Sequence, residues 1–466
     1  MTKISPQALD AVLAHVDAGL DASLERLFEL LRIRSISTDP AYAGECRAAA
    51  DWLARDLTGL GFDAAAHPTP GHPVVMGRRS GSESGRSVLF YGHYDVQPVD
   101  PLELWDTDPF APQIRTLPDG RRWITGRGSS DDKGQTMTFI EACRAYVAVT
   151  GGLPCDVTVL VEGEEETGGK NLPGFIERHA AQLKADVALV CDTDMWDHET
   201  PSVTAMLRGL VGEEIEITCA DMDLHSGMFG NAARNPNQLL ADIISSLRNP
   251  DGSVAIKGFY DDVAELPDSV KAQWEGLGFD EKAFLGGAGL SVPAGEKDRS
   301  VLEMLWSRPT CEINGMWGGY IGEGFKTVIP AKAWAKISFR LVSGMDPDKI
   351  RAAFRAHVRE RLPADCTVSF KEHGGSPALS VPTEGKMLTA ALTALSAEWG
   401  KPAVVTGSGG SIPVGGDFKR ILGLDTLFIG FAQDDDRIHS PNEKYDLASF
   451  HKGIRSWVRV LAELAN

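Results

Sequence analysis

No stretch of this 466-residue chain holds the roughly 18 consecutive apolar residues that a membrane-spanning helix needs. Nor does its start resemble a signal peptide, because Lys3, Asp10 and Asp17 interrupt any apolar block. Paired cysteine motifs are also missing. The seven cysteines, at 46, 143, 155, 191, 219, 311 and 366, are scattered and never take Cys-x-x-Cys spacing. That argues against zinc-finger and dithiol chemistry, fits reduced thiols in a cytosol, and leaves any metal to His, Asp and Glu. Positive charge is in deficit: 46 Lys and Arg stand against 65 Asp and Glu, a net charge of −19. Such a surface repels nucleic acid and anionic membrane and attracts cations. Internal repeats and low-complexity segments are absent too.

What is present reads as an ordinary globular protein, 43% hydrophobic and 24% charged, and too long for a single core. Residues 6–32 carry helical spacing from Leu9 to Leu31. Short apolar runs at 88–91, 157–161 and 187–191 alternate with helical segments at 133–149 and 172–184. This predicts an α/β layer with a mainly parallel sheet. From about 208 the pattern changes. Residues 210–219 alternate apolar and acidic, and a helix over 236–247 follows. After an irregular stretch with a short helix near 269–274 come strands at 310–316 and 332–342, a helix at 346–361 and a strand at 366–371. That βαββαβ order is ferredoxin-like. Signals of the first kind return with a helix at 387–399, strands at 403–405 and 426–429, and a helix at 448–464. The expectation is one α/β domain built from residues 1–207 and 376–466, interrupted by an α+β insertion over 208–375.

Five clusters carry the candidate chemistry, four of them where predicted strands end: "YGHYDVQP" (91–98), "GRGSSDDKGQ" (126–135), "VEGEEETGG" (161–169), "CDTDMWD" (191–197) and "DDDRIHSPNEKYD" (434–446). In open α/β sheets the carboxyl ends of strands form the ligand crevice. Singly, each cluster has an ordinary structural explanation, such as helix capping, a turn or a solvated charge run. Together they deliver two histidines and several carboxylates to one sheet edge, a donor set suited to zinc, manganese or cobalt. The carboxylate excess also suits two metals about 3.5–4 Å apart sharing an Asp, a centre that lowers the pKa of bound water from 15.7 to roughly 7. Adjacent glutamates would let one bind metal while its neighbour acts as general base. "GSGGSIPVGG" (407–416) lacks both the P-loop ending and the dinucleotide fingerprint, so it is not read as a phosphate loop.

In order and spacing, "GHYDVQP", "GRGSSDDKG", "EGEEETGG", "CDTDMWD" and "IHSPNEK" resemble a co-catalytic dizinc metallopeptidase family. It includes cytosolic nonspecific dipeptidases and carnosinases, glutamate carboxypeptidase, aminoacylases and succinyl-diaminopimelate desuccinylase. "HYDVQPVDPLELW", "DLHSGMFGN", "KTVIP" and "GGSIPV" are most similar to its dipeptidase branch. The resemblance implies a catalytic domain with an inserted lid and dimerisation domain. It implies two divalent ions, zinc first, with His93 and Asp194 on one, Glu166 and His439 on the other, and Asp131 bridging, followed by a cis peptide. Glu165 would be the general base for a metal-bridging water, and Asp95 would orient His93 through its second ring nitrogen. Sliding the glutamate alignment by one residue would make Glu164 the base and Glu165 the ligand. His225 would stabilise the oxyanion from the partner subunit. Thr327 and Arg340 would bind substrate, and Gly410 and Ser411 its carboxylate end. By residue type alone, Arg340 could equally pair with Glu312 across a sheet. The implied function is hydrolysis of an amide bond in dipeptides or short peptides with a free carboxylate, by a cytoplasmic homodimer. N-acyl or N-carbamoyl amino acid hydrolysis and carboxypeptidase activity share the same centre, and a catalytically silent binding protein is the remote alternative.

Overall fold

The computed structural model describes residues 4–81, 85–381, 385–410 and 412–465, which fall into two compact units. The first comprises Met1–Ala205, Val381–Thr406 and Pro413–Asn466, and the second Met206–Ser380 and Gly407–Ile412. These borders lie a few residues from those expected at 207/208 and 375/376. One difference is substantive: Gly407–Ile412, the first part of the glycine-rich stretch expected in the catalytic part, groups with the second unit, while the part from Pro413 stays with the first. The anchor of Gly407–Ile412 is Arg208, whose backbone N–H donates to the Gly410 carbonyl at 3.2 Å.

In the first unit the sheet runs Asp63–His67, Val74–Arg79, Asp156–Glu162, Ser87–His93, Val187–Val190, Thr426–Phe428, Ser202–Leu207. Ser87–His93 has parallel neighbours on both sides, as does Val187–Val190. Strands so placed are covered on both faces, which is why they read as unbroken apolar runs. Helices Lys133–Thr150 and Leu447–Leu464 supply part of the cover. Phe139 stacks on Phe90 with ring centroids 3.9 Å apart, and Trp457 meets both edge-on. The helix expected over 6–32 is two helices, Pro6–Ala18 and Leu20–Leu31. They part at Gly19, whose N–H donates to the carbonyls of both His15 and Val16 and so closes the first.

The second unit holds an antiparallel sheet in the order Thr310–Gly318, Lys332–Leu341, Gly209–Thr218, Thr367–Ser376. With helices Pro236–Ser245 and Pro347–Glu360 this is the ferredoxin-like βαββαβ arrangement. Gly209–Thr218 alternates buried and half-buried residues along its length, so one face joins a core of Ile215, Ile337, Phe339 and Phe354. Glu213 is buried against the trend for carboxylates, and Arg351 and Arg355 from the helix Pro347–Glu360 donate to it at 2.9–3.0 Å. Arg351 would keep Asp348 and the Gly374 carbonyl and Arg355 would keep Glu372, so Glu213→Ala is expected to cost about 1–3 kcal/mol, the loss of charge-assisted hydrogen bonds from a buried site. Urea unfolding measures this, and a loss under about 1 kcal/mol would show the triad to be dispensable.

Candidate active site

Sheet register builds the site. Tyr91 and Val190 are the last pair of the parallel ladder, and the same register carried two residues further would set His93 level with Asp192. His93 Nε2 is 3.0 Å from Asp131 Oδ1 and 4.0 Å from Asp192 Oδ1. The other Asp131 oxygen is 2.9 Å from His439 Nε2, which in turn is 3.2 Å from Glu166 Oε2. Two groups of converging donor atoms result, His93–Asp131–Asp192 and Asp131–Glu166–His439, and Asp131 belongs to both.

Asp194, expected as a ligand beside His93, belongs to neither group. It lies two residues further past the ladder than Asp192, forms a bridge with Ala432 and is exposed. Asp192 and Asp194 have the same parity along the chain, so side-chain alternation does not separate them. What separates them is distance: Asp192 Oδ1 is 4.0 Å from His93 Nε2 and converges with it and Asp131.

Asp131 and Asp132 differ in what each contacts. The bond between them is cis. Asp132 turns back on the strand end, accepting from the His93 backbone N–H at 3.0 Å and from Thr136 Oγ1 at 2.9 Å. Gly92 leaves room for this: a Cβ there would lie 2.7 Å from Asp132 Oδ2 and collide with Thr136. Among the glutamates, Glu164 is taken by Asn171, whose Nδ2 donates to both of its oxygens at 2.8–3.0 Å. Glu166 faces His439, and Glu165 belongs to neither donor group.

Asp95 lies at the second ring nitrogen of His93 and makes further contacts. Its main-chain carbonyl is 3.1 Å from His93 Nδ1 and its nearer carboxylate oxygen 3.5 Å. That carboxylate also accepts from Ser37 Oγ at 2.6 Å and from the backbone N–H groups of Glu165 and Glu166 at 3.3 and 3.1 Å. It therefore holds the turn Glu165–Thr167 that presents both glutamates. Two further residues escaped the sequence reading although they lie within its motifs. Gln97 donates to Glu166 Oε2 at 2.6 Å. Glu443, fully buried, accepts from Arg127 Nη1 and from the backbone N–H groups of Gly128, Ser130 and Asp131 at 2.7–3.1 Å. It pins the loop that carries Asp131.

So many buried carboxylates disfavour their own charge. Burial, with Asp132 and Asp131 nearby, pushes the Asp192 carboxyl well above its usual range, although His93 opposes the rise. Burial likewise lifts Glu165 to about 7, against His93 and with Glu166, Asp131 and Asp95 adding to the rise. Divalent cations are the natural compensation. The residues fit them: two imidazoles and three carboxylates converge with no thiolate, and His93 Nε2 and Glu166 Oε1 are buried without a hydrogen-bond partner.

The expected substrate residues lie in the second unit. His225 and Thr327 are neighbours across a short ladder, Leu224–His225 with Val328–Ile329, where Ser226 N–H donates to the Thr327 carbonyl at 3.0 Å. Both are exposed, and His225 Nδ1 accepts from Gly227 N–H at 3.1 Å. Arg340 lies level with Thr310, not with Glu312, whose ion-pair partner is Arg248 at 3.8 Å. The cross-sheet pairing of Arg340 with Glu312 is thus not formed. Ser411 falls outside the described residues.

The model of peptidase family M20/M25/M40 matches residues 89–463, a span containing every residue of the two donor groups. The chain belongs to this family. It is similar to the Cys-Gly metallodipeptidase dug1 of Schizosaccharomyces pombe, 30% identical over 98% of this chain and 99% of that one. The Beta-Ala-His dipeptidase of Homo sapiens is 27% identical over 99% and 93%. Among solved structures, an M20 family metallo-carboxypeptidase, Sso-CP2 from Sulfolobus solfataricus, superposes with a TM-score of 0.80 at 30% identity, covering 95% of this chain and 99% of that one. This M20 chain is therefore a metal-dependent peptidase. Among the described residues no helix is long and apolar enough to cross a membrane.

Proposed function

We propose that this M20 peptidase is a dipeptidase, hydrolysing the amide bond of dipeptides or short peptides with a free carboxylate. The observation that carries the reading is the pair of donor groups sharing Asp131, with Glu165 beside them and in neither. His93, Asp131 and Asp192 would hold one divalent ion and Asp131, Glu166 and His439 a second, zinc before manganese or cobalt by donor chemistry. Bound there, such ions polarise a scissile carbonyl and make a water acidic enough to lose its proton near neutrality. Glu165 takes that proton and returns it to the leaving amine. Asp95 keeps Glu165 and Glu166 in position through their backbone N–H groups. His225 donates to the developing oxyanion. Thr327, Arg340 and the glycine-rich stretch at Gly410 bind the peptide, Arg340 taking its carboxylate. The full-length similarity to the two dipeptidases supports a dipeptide over an N-acyl amino acid.

The test is metal analysis of the purified protein, with turnover of Ala-Gly-type dipeptides compared with N-acetyl amino acids. Dipeptide cleavage lost on chelation and restored by zinc is the expected result. Turnover confined to N-acetyl substrates would replace the reading with a deacylase.

We also infer a homodimer formed through the second unit. Its sheet ends on the strand Thr310–Gly318, which exposes Ile313, Met316 and Trp317, and the loop beyond leaves Ile321 87% and Phe325 92% exposed. An open edge strand beside apolar side chains is a surface that a second copy covers. Sedimentation is expected to give a dimer, and Ile321→Asp with Trp317→Asp a monomer. A monomeric wild type would end this inference. The free cysteines, six of them buried, support a reducing, cytosolic setting.

A further inference from the structure

In the second unit the strands Gly209–Thr218 and Thr367–Ser376 run antiparallel, with Thr218 opposite Thr367. One step beyond that pair the same register sets Cys219 opposite Cys366. Cys219 N–H donates to the Ala331 carbonyl at 2.9 Å, on the side of the strand Lys332–Leu341, and Cys366 N–H donates to the Pro363 carbonyl at 3.0 Å. Neither amide bridges the gap between the two cysteines. They form a non-hydrogen-bonded pair, the kind whose Cα atoms come within about 4.5 Å and whose side chains lie closer. The side chains meet: the two Sγ atoms are 3.0 Å apart. An S–S bond is about 2.05 Å long and tolerates Cα separations of roughly 4.4–6.8 Å, so about 1 Å of closure remains, within reach of side-chain rotation. Access to the two differs, because Cys219 is half-buried and Cys366 buried. The pair also sits at the root of a functional segment. Ala331, which accepts from Cys219, donates its own N–H to Asp223 Oδ1 at 2.9 Å, two residues before His225.

We propose that Cys219 and Cys366 are an oxidative modification site: two free thiols that a small-molecule disulfide, RSSR, converts into a reversible cross-strand bridge. Cys219, the more accessible, loses its proton to solvent and attacks one sulfur of RSSR. The RSSR bond breaks, one RS⁻ leaves and is protonated to RSH, and a mixed disulfide remains on Cys219. Cys366 then loses its proton and attacks the Cys219 sulfur, and the second RS⁻ departs as RSH. Two protein thiols are oxidised and one RSSR is reduced to two RSH, with protons balanced. Burial and the adjacent Cys366 push the Cys219 thiol up to about 12. Little thiolate is then present at neutral pH, so exchange is slow and the site responds to sustained oxidation. The bridge joins positions 147 residues apart, and closing so long a loop restricts the unfolded chain of the second unit. Nothing in the exchange involves metal or peptide, so its failure would leave the dipeptidase reading untouched.

The experiment equilibrates the native full-length protein with oxidised and reduced glutathione at graded ratios, then counts free thiols and maps bridged peptides by mass spectrometry. Of the seven thiols, two are expected to disappear together, leaving a single Cys219–Cys366 bridge, no bound glutathione and full recovery on adding dithiothreitol. Cys366→Ser should stop at glutathione on Cys219, which the wild type resolves. Oxidised wild type should also unfold at a higher urea midpoint than reduced wild type, a shift absent from Cys366→Ser. Seven thiols retained at every ratio would overturn the proposal. So would a bridge between other cysteines, or glutathione left on wild-type Cys219 with Cys366 still free. The wild-type measurements decide the matter even if the variant fails to fold.

Discussion

Glu165→Gln is expected to lower kcat by about 10²–10⁴-fold while leaving metal content and KM close to wild type. The size follows from position. Glu166, one residue on, belongs to a donor group with Asp131 and His439, whereas Glu165 belongs to none. The short turn Glu165–Thr167 puts the two carboxylates side by side, and Asp95 holds both backbone N–H groups. Glutamine keeps the shape and removes the basic oxygen pair, so the change isolates proton transfer from metal binding. Glu164→Gln is the matched control. Its carboxylate is engaged by Asn171, so turnover should stay near wild type. Metal analysis and steady-state kinetics on the two variants decide the matter. A Glu165→Gln enzyme with near-full activity, or one that has lost its metal, would mean that the roles within the Glu-Glu-Glu run are misassigned.

Much of this arrangement was open to the sequence, and what was hidden has a common cause. The run 88–91 announced a doubly covered strand, and the apolar–acidic alternation at 210–219 announced a sheet with one polar face, because burial acts directly on residue type. The strand Asp63–His67 gave no such signal. Its sequence, Asp-Ala-Ala-Ala-His, is poor in strand formers, and it pairs with Val74–Arg79 through tertiary register alone. The same limit applies within the site. Residue types and motif order identified His93, Asp131, Glu166 and His439, the four that the donor groups contain as expected. What Asp95 binds depends on a turn some seventy residues away, and Glu443 reads as one more acid in a charged loop until its four N–H partners are placed around it. The glycine-rich stretch likewise showed its composition but not its attachment to Arg208, because a backbone carbonyl leaves no trace in sequence.

Asp192→Asn and Asp194→Asn should behave oppositely, and the contrast tests the register argument itself. Outer hydrogen-bonding partners of metal ligands typically cost 10- to 100-fold in metal affinity when mutated, so losing a direct ligand should cost more than about 100-fold. Asp192→Asn replaces a carboxylate that converges with His93 and Asp131, and it is expected to bind one fewer ion under metal-buffered conditions and to lose activity accordingly. Asp194→Asn alters an exposed residue two positions further along, beyond the ladder and bridged to Ala432 by its backbone, and should keep both stoichiometry and turnover. Element analysis at fixed free zinc, with dipeptide turnover on the same samples, separates the two. If Asp194→Asn loses metal and Asp192→Asn does not, the level pairing of Tyr91 with Val190 cannot continue unbroken to residue 192, and the chain must shift by two residues between strand end and site. If both lose metal, the first donor group extends past His93, Asp131 and Asp192 to include a fourth protein ligand.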